Sequence, residues 1–536
     1  MGQVVCGAGT LRAMSVDHGV NPRGEMPGVA RWDEEAFRRA GHAMIDRIAA
    51  YWSSLRSQSG APPVLCPLAP GDVLARVPEQ APEEGESWDS IVADLDRVVM
   101  PGLTHWQSPK FFGYFPANIS APGVLGDLLS SGLGVQGMLW LTSPACTELE
   151  TRTLDWMARL IGLPGSFCSD APDGGGVIQG TASEATLVAL VAARTCARGV
   201  WVRSGSAGAF TPVVYTSDQA HSSVLKSAMI AGVADPPPAE GTAADAGPVT
   251  GRGGVRFIRS DARYAMDPAE LERCLEEDVA AGRHPCIVVA TLGTTGVMGV
   301  DDLERVGAVC ARHGVWLHVD AAFAGSALVC PEHRGMIRGV ERADSFSFNP
   351  HKWLLTNFDC ALFWTRRRAD LLRALSVTPE YLRNAGSATG RVIDYRDWQV
   401  PLGRRFRALK LWFVMRSYGA EGLRAHVRGH VRLAEEFESW VRGDGRFEVA
   451  VPRGLSLVCV ALRAGDEATR RLLERANASG EAFFSHTVVP RRGDVAPGPD
   501  RFIIRVAIGG TFTQRRDVLG AWDLLRRTAD GVVGPA

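Results

Sequence analysis

Lys352 stands in Ser-Phe-Asn-Pro-His-Lys-Trp, residues 347 to 353, of a chain with 4 lysines against 54 arginines. Arginine carries surface charge as well as lysine does, but it stays protonated in a protein and cannot form an imine. A lysine kept beside His351 in such a composition points to a need for an amine. Schiff-base chemistry with pyridoxal phosphate is the leading source of that need, with Lys352 as its anchor. On the lysine alone, chance retention of a surface residue is an equal alternative.

The neighbouring residues favour chemistry. Val315-Trp-Leu-His-Val-Asp-Ala-Ala-Phe-Ala-Gly325 reads as a buried strand that ends in a carboxylate and small residues. In an open α/β sheet the carboxyl ends of strands face ligands. Asp320 can therefore hold a protonated pyridine nitrogen, which makes the ring an electron sink, while Ala321 and Ala322 leave room for a flat ring. Gly174-Gly-Gly-Val-Ile-Gln-Gly-Thr-Ala-Ser-Glu-Ala-Thr186 reads as glycines, a short strand and a helix start. Thr181 and Ser183 are N-cap candidates there, and a helix N-terminus offers amides and positive dipole to a phosphate. Asp218-Gln-Ala-His-Ser-Ser-Val224 puts His221 in a polar loop at the sheet edge. Each of these has an ordinary structural explanation; the ordered set is far more specific. His426 and His430 are spaced for one helix face, but no third ligand is evident, so a solvated face is expected and no metal.

The chain resembles the aromatic-L-amino-acid decarboxylase group of fold-type I pyridoxal-phosphate enzymes, the group II decarboxylases. The likeness rests on Thr104-His-Trp-Gln-Ser-Pro109, Ser143-Pro-Ala-Cys-Thr-Glu-Leu-Glu150, Asp218 to Val224, Asn349-Pro-His-Lys-Trp353 and Asp394-Tyr-Arg-Asp-Trp-Gln-Val-Pro-Leu-Gly-Arg-Arg-Phe406, and it extends over residues 33 to 527. It implies pyridoxal 5'-phosphate on Lys352, Asp320 at the ring nitrogen and His221 stacked on the ring. Ala182, Ser183 and Asn349 would contact the phosphate. Thr295 would border the cofactor near Asp320, and His351 would lie beside the phosphate; a turn hydroxyl and a backbone-satisfying imidazole are the alternatives for these two. Tyr381 lies in Ser376-Val-Thr-Pro-Glu-Tyr-Leu-Arg-Asn-Ala-Gly-Ser-Ala-Thr-Gly390, whose small and polar residues suit a mobile lid. The resemblance makes Tyr381 the proton donor, reaching into the neighbouring subunit's site.

It also places an apolar wall for an aromatic side chain on Trp106, Phe112, Tyr114, Phe115 and Pro116, with His221 beside the substrate. Ala117 replaces a hydroxyl residue that helps hold a catechol in animal relatives. Gly403 stands where histidine-selective and many tyrosine-selective relatives carry Ser. Trp and Phe are thus favoured as substrates, with Tyr or dopa less so. Relatives that are aldehyde synthases carry Phe at the tyrosine position or Asn at the histidine position, so Tyr381 and His221 argue for the decarboxylase. A non-catalytic scaffold would have little reason to keep Lys352, Asp320, His221 and Tyr381 together.

To position these residues the chain needs an α/β fold with a mainly parallel central sheet, and its pattern of apolar runs and amphipathic stretches predicts one. Strands are expected at Val177–Gln179, Val213–Tyr215, Cys286–Thr291, Val315–Val319 and Ala361–Trp364. Residues 1–30 read as a mobile tail and 31–109 as a helical layer that, by resemblance, laps over a partner subunit. In that layer, a helix from Asp33 carries Phe37, Ala40, Met44, Ile45, Ile48 and Trp52, and a second runs from Trp88 to Val99. Residues 110–405 form the large cofactor-binding domain, with a surface loop at 235–254, and 406–536 a small α+β domain. Strands are expected in the latter at Phe447–Val451, Leu455–Leu462 and Phe502–Ile508.

Composition fits a globular enzyme. The 536 residues are 46% hydrophobic and 22% charged, with a net charge of −1 that gives no footprint for nucleic acid or an anionic membrane. Eleven scattered cysteines suggest reduced thiols in a cytosolic protein. No membrane span or leader is expected. The expected partners are the amino acid and a second copy, as a homodimer with active sites at the subunit interface.

Overall fold

The computed structural model describes residues 33–205, 208–236, 253–377, 379–382, 392–490 and 500–534. The expected tail at 1–30, most of the 235–254 loop and most of the segment carrying Tyr381 lie outside them. The chain divides into two compact units: one holds the described residues up to Ser54 together with Leu68–Gly102, the other Leu55–Pro67 and the chain from Leu103 onward.

In the first unit, Asp33 caps the helix Glu34–Leu55 as expected, its Oδ1 accepting from Ala36 N at 2.6 Å. Along the apolar stripe Phe37 and Ile45 are exposed, while Ala40, Met44, Ile48 and Trp52 are half-buried. Ser87 caps Trp88–Asp94, which continues as a π-turn, Leu95–Val99, and a 3-10 turn, Met100–Gly102. Pro101 has no N–H to extend an α-helix, and the helical segment ends there.

In the second unit, seven strands form the central sheet: β1 Gly175–Gln179, β2 Pro212–Ser217, β3 Gly254–Ile258, β4 His284–Thr291, β5 Trp316–Asp320, β6 Ser345–Phe348 and β7 Ala361–Thr365. Their order is β1-β7-β6-β5-β4-β2-β3. Only β7 runs against its neighbours, β1 and β6. The sheet is mainly parallel, as the alternation predicts. Val177, Val214, Ile287, Val289 and Phe363 pack on one face under the helix Ala182–Arg203, while Ile178, Val288, Ala290, Leu317 and Val319 pack on the other against Pro144–Ile161. Strands buried on both faces read as near-continuous apolar runs, which is why β4 and β5 are visible in the sequence. The helix Ala182–Arg203 is apolar and long enough to span a bilayer by composition. It lies along the sheet instead, through Ala185, Val188, Ala189, Ala192 and Ala193.

Four antiparallel strands, β8 Phe447–Val449, β9 Leu457–Leu462, β10 Ser485–Val489 and β11 Arg501–Ala507, form a second sheet in the order β10-β11-β9-β8. The helix Arg407–Arg442 leads to it and breaks its helical conformation at Gly419, where φ is 61° and ψ 177°. This helix corrects one expectation. His426 and His430 are not a solvated face: His430 is buried and its Nδ1 accepts from Trp353 Nε1 at 3.0 Å, while His426 Nε2 lies 3.2 Å from Asn118 Oδ1. None of the ten described cysteines forms a disulfide.

Candidate active site

The site gathers at the carboxyl ends of the parallel strands. Asp320 closes β5, in register with Thr291 of β4 and Ser347 of β6. It is buried, and its Oδ1 accepts from Ala322 N at 2.9 Å. Beyond β6, Asn349 N donates to Ala322 O at 3.0 Å, which ties the next turn to the Asp320 turn. Pro350 then opens the one-turn helix Pro350–Trp353, with its fixed φ and missing N–H suited to that position, and delivers Lys352. Lys352 Nζ lies 5.5 Å from the centroid of the Phe115 ring. Burial lowers the Lys352 pKa; the Asp320 carboxylate opposes that shift and the Arg505 charge adds to it. Such a lysine is eased toward the neutral amine that imine formation requires.

His221 follows β2. Its Nδ1 accepts from Ser223 N at 3.1 Å and lies 2.9 Å from Ser223 Oγ. Burial lowers its pKa, Asp320 raises it, and Lys352 lowers it again. The ring is therefore neutral with its proton on Nε2, and Asp320, His221 and Lys352 feel one another's charge. His351 serves the backbone, the alternative weighed from the sequence. Its Nδ1 accepts from Cys360 N at 2.9 Å, and burial with the Lys352 charge pushes its pKa down to about 3.

A phosphate fits the residues present. Thr181, rather than Ser183, caps the helix, accepting from Glu184 N at 3.3 Å. The two amides ahead of Glu184, those of Ala182 and Ser183, have no partner one turn back in the helix. Asn349 is buried, and its Oδ1 has no hydrogen-bond partner among the described residues. A phosphate oxygen only accepts, so Asn349 would serve it through its Nδ2 donor, while the unpartnered Oδ1 calls for a donor from a bound group. Thr295 is half-buried in the turn after β4; its neighbour Thr294 does the turn's work, accepting from Gly299 N at 2.8 Å.

The expected wall divides. Phe115 is 7% exposed and stacks on Phe323 at 4.0 Å, which stacks on Trp353 at 4.6 Å. Pro116 packs beside Trp353 and against Gly509, where a Cβ would come within 2.8 Å of its Cγ. Trp106 and Tyr114 stack at 5.7 Å but are 40% and 54% exposed. The Ala117 carbonyl accepts from Gln107 Nε2 at 2.6 Å. Phe112 does not belong to the wall: it is fully buried in the core of the second sheet, stacked with Phe484 at 5.9 Å. Gly403 is exposed, and a Cβ there would meet only Gln136 Oε1, at 3.4 Å. Within 4 Å, that Cβ position meets none of Lys352, Asp320 and His221. Tyr381 falls on the 3-10 turn Glu380–Leu382; its side chain lies outside the described residues.

Arg505, on β11, was not foreseen. Its Nη1 donates to Tyr114 O at 3.0 Å and Ser485 Oγ at 2.9 Å, and its Nε to Gly296 O at 3.1 Å. The guanidinium lies 5.1 Å from the Phe115 ring centroid, and Nη2 is buried without a partner among the described residues. An arginine inside Phe-Ile-Ile-Arg-Val-Ala-Ile was the available signal, since a charge buried in an apolar strand needs a counterpart.

Known proteins show the same arrangement of sequence. Residues 70–463 match the family described as the pyridoxal-dependent decarboxylase conserved domain. Aromatic-L-amino-acid decarboxylase of Rattus norvegicus is 44% identical over 509 residues, which are 94% of this chain and 99% of the rat protein. Phenylacetaldehyde synthase of Arabidopsis thaliana is 43% identical over 505 residues, 93% of this chain and 96% of that one. The crystal structure of Catharanthus roseus tryptophan decarboxylase in complex with L-tryptophan superposes with a TM-score of 0.84 at 37% identity, covering 94% of this chain and all of that chain.

Proposed function

The chain belongs to the pyridoxal-dependent decarboxylase family, and we propose that it removes the carboxylate of an aromatic L-amino acid as carbon dioxide and releases the arylalkylamine. The observation that carries this reading is the meeting of Lys352, Asp320 and His221 beside the buried ring of Phe115. Pyridoxal 5'-phosphate, when bound, supplies the electron sink for the pair left by the departing carbon dioxide. The chain's residues do the rest. Ala182, Ser183 and Asn349 would hold the phosphate, with His351 beside it, and Thr295 would border the cofactor near Asp320. Asp320 keeps the pyridine nitrogen protonated. His221 offers a neutral flat ring. Lys352 anchors the cofactor and takes it back after each turnover. The partnerless Nη2 of Arg505 can receive the carboxylate of an amino acid entering beside Phe115.

Substrate choice rests on Phe115 and Pro116 within the chain, and on Trp106, Tyr114, Ala117 and Gly403 around its rim. Gly403 follows the exposed Val400 and Leu402, and the helix Ala121–Leu133 exposes Leu125, Leu128, Leu129 and Leu133. Arg405 joins the two elements, with Nη2 at 3.2 Å from both Asp127 Oδ1 and Ser131 Oγ. An apolar face of this kind suits a second copy, which would bring Gly403 and Tyr381 to a neighbouring site. The small side chains at 117 and 403 favour Trp or Phe over Tyr, dopa and His.

A competition assay with Trp, Phe, Tyr, dopa and His tests the reading. Carbon dioxide and amine in equal amounts from Trp or Phe are expected. Arylacetaldehyde with ammonia and peroxide would instead assign the synthase reaction. Borohydride reduction and peptide mapping should label Lys352, and Lys352→Ala should abolish turnover; label on Lys110, Lys226 or Lys410 would overturn the anchor.

A further inference from the structure

The turn that delivers Lys352 needs support from outside itself. Pro350–Trp353 is a single helical turn, and a lone turn fixes several backbone angles for each hydrogen bond it closes. Leu355, just past it, has a φ of 55°, in the left-handed region that a leucine rarely enters. Such a residue persists only where its surroundings over-determine it.

Those surroundings centre on Asn118, which is fully buried. Its main-chain N donates to His351 O at 2.8 Å, and its Oδ1 accepts from Leu355 N at 3.1 Å, so it grips the chain on both sides of Lys352. Its Nδ2 donates to Gly509 O at 2.8 Å. Gly509 O only accepts and Leu355 N only donates, which fixes the orientation of the carboxamide. His426 Nε2 lies 3.2 Å from the same Oδ1 and therefore carries the proton of a ring that burial keeps neutral. From the same segment, Ser120 Oγ donates to Leu355 O at 2.6 Å.

These bonds join three parts of the site. Asn118 stands three residues after Phe115, His351 and Leu355 flank Lys352, and Gly509 stands four residues after Arg505. A Cβ at Gly509 would come within 2.8 Å of Pro116 Cγ and 3.2 Å of Trp353 Cδ1, so the segments close around a glycine. The wall has ties of its own, since Phe115 stacks on Phe323 at 4.0 Å and Ala117 O accepts from Gln107 Nε2 at 2.6 Å. Without the carboxamide the wall would stay in place, while the N–H of the buried Leu355 would lose its acceptor.

We propose that Asn118 is a positioning residue, holding the Lys352 turn in register with the substrate wall and with the strand that bears Arg505. Lys352 has to release and recapture the cofactor in every turnover, and a fixed turn sets how readily its amine returns. The inference rests on the reading of Lys352 as the anchor, and the experiment separates the two.

Holoenzymes of wild type, Asn118→Ala and Thr511→Ala are compared on the aromatic amino acid that wild type turns over fastest. Thr511 is the control. Its Oγ1 accepts from Ile119 N at 3.1 Å and donates to Ile119 O at 2.9 Å, tying down the same segment without a bond to the Lys352 turn. In Asn118→Ala, kcat per bound cofactor should fall roughly tenfold, the scale of one hydrogen bond, with KM within about twofold. Loss of pyridoxal 5'-phosphate into cofactor-free buffer should speed up by a similar factor, and the Leu355 amide should exchange its hydrogen faster. Thr511→Ala should match wild type in all four readings. A general loss of stability would lower Tm without splitting kcat from KM. Wild-type kcat and cofactor loss in Asn118→Ala, or equal changes in both variants, would overturn the positioning role; borohydride label on Lys352 would still leave the anchor in place. Label on another lysine would overturn both. Should Asn118→Ala fail to fold, Asn118→Ser decides by the same readings, because a single hydroxyl cannot replace both ends of a carboxamide.

Discussion

At the scale of single residues, protons separate the two reactions found among the relatives. His221 is held neutral by burial and by Lys352, so its pKa lies below the usual imidazole value. A ring that gains charge as pH falls would repel the pyridinium it is read as stacking on. The acid limb of kcat/KM should therefore lie below pH 6.5, the unperturbed value for His. A limb at higher pH would belong to another group. Tyr381 is the proposed donor of the next proton. As a positioned general acid it would deliver a proton to the former α-carbon, a contribution of about 10²–10⁴-fold. Tyr381→Phe keeps the ring but has no proton to give. Amine formation should fall on that scale, and oxygen uptake with aldehyde, ammonia and peroxide should take its place. Amine at the wild-type rate without oxygen uptake would make Tyr381 a lid residue alone.

At the scale of elements, the edge of the central sheet carries a second device. β1 is an edge strand, and the N–H and C=O of Ile178 point away from β7. Glu150 Oε1 accepts from Ile178 N at 2.8 Å, Arg404 Nη2 donates to Ile178 O at 3.1 Å, and the two side chains pair at 2.7 Å. Both are almost fully buried. The pair blunts an edge that would otherwise be open to strand pairing, and it fixes the segment bearing Gly403 against the strand that leads to the helix Ala182–Arg203. Arg404→Met strands a buried carboxylate, which costs about 3–5 kcal/mol. Chemical denaturation should show that loss; a change under about 1 kcal/mol would mean that Glu150 takes up a proton or water with little penalty. Gly403→Ser is different, because a Cβ there meets only Gln136 Oε1 at 3.4 Å. Stability should hold, while activity on Trp relative to Tyr or His falls by roughly tenfold once the hydroxyl faces a substrate ring. An unchanged ratio would remove Gly403 as a selector. The same elements show what the sequence reveals. β5 and the Lys352 turn are legible because an apolar run ends in a lone carboxylate and a scarce lysine. β6 is not, since Ser345 and Ser347 interrupt its apolar pattern, and β3 hides behind the Gly- and Ala-rich stretch before it. β10, Ser-His-Thr-Val-Val, lacks an apolar face. Arg505 shows locally only as a charge inside an apolar strand, and it and His318 act through partners far away in sequence, which that local signal does not name.

At the scale of the whole molecule, buried imidazoles tie the layers together and set how the protein meets acid. His318 joins β5 to β6, and His351 receives the amide of Cys360 just before β7. His430 joins the long helix to Trp353, the neighbour of Lys352. Burial pushes His318 and His430 down to about 4 and His351 to about 3. In an unfolded chain each returns to about 6.5. A group whose folded pKa is depressed contributes stability that is complete above the unfolded value and drains away as pH falls toward the folded one. Between pH 6.5 and 4 the unfolded chain therefore takes up the protons, and each such histidine removes about 1.4 kcal/mol per pH unit. Asp301 works against this, because burial raises its pKa to about 6 and acid relieves a buried charge. Burial also raises Asp344, Asp397 and Asp517, but it lowers His105, His221, His333, His426 and His486 alongside the three imidazoles named, so stability should fall with acid across this window. Thermal unfolding followed by near-ultraviolet circular dichroism should show Tm dropping steadily from pH 6.5 to 4. His430→Asn should lower Tm at pH 7 and flatten the dependence, because one of the three groups is gone. The visible band of the Lys352-bound cofactor should fade in the same range, since a proton on His430 Nδ1 ejects the Trp353 N–H from its bond. A Tm that is level from pH 6.5 to 4 would show that these imidazoles are hydrated in solution, and that the layers are held by apolar packing alone.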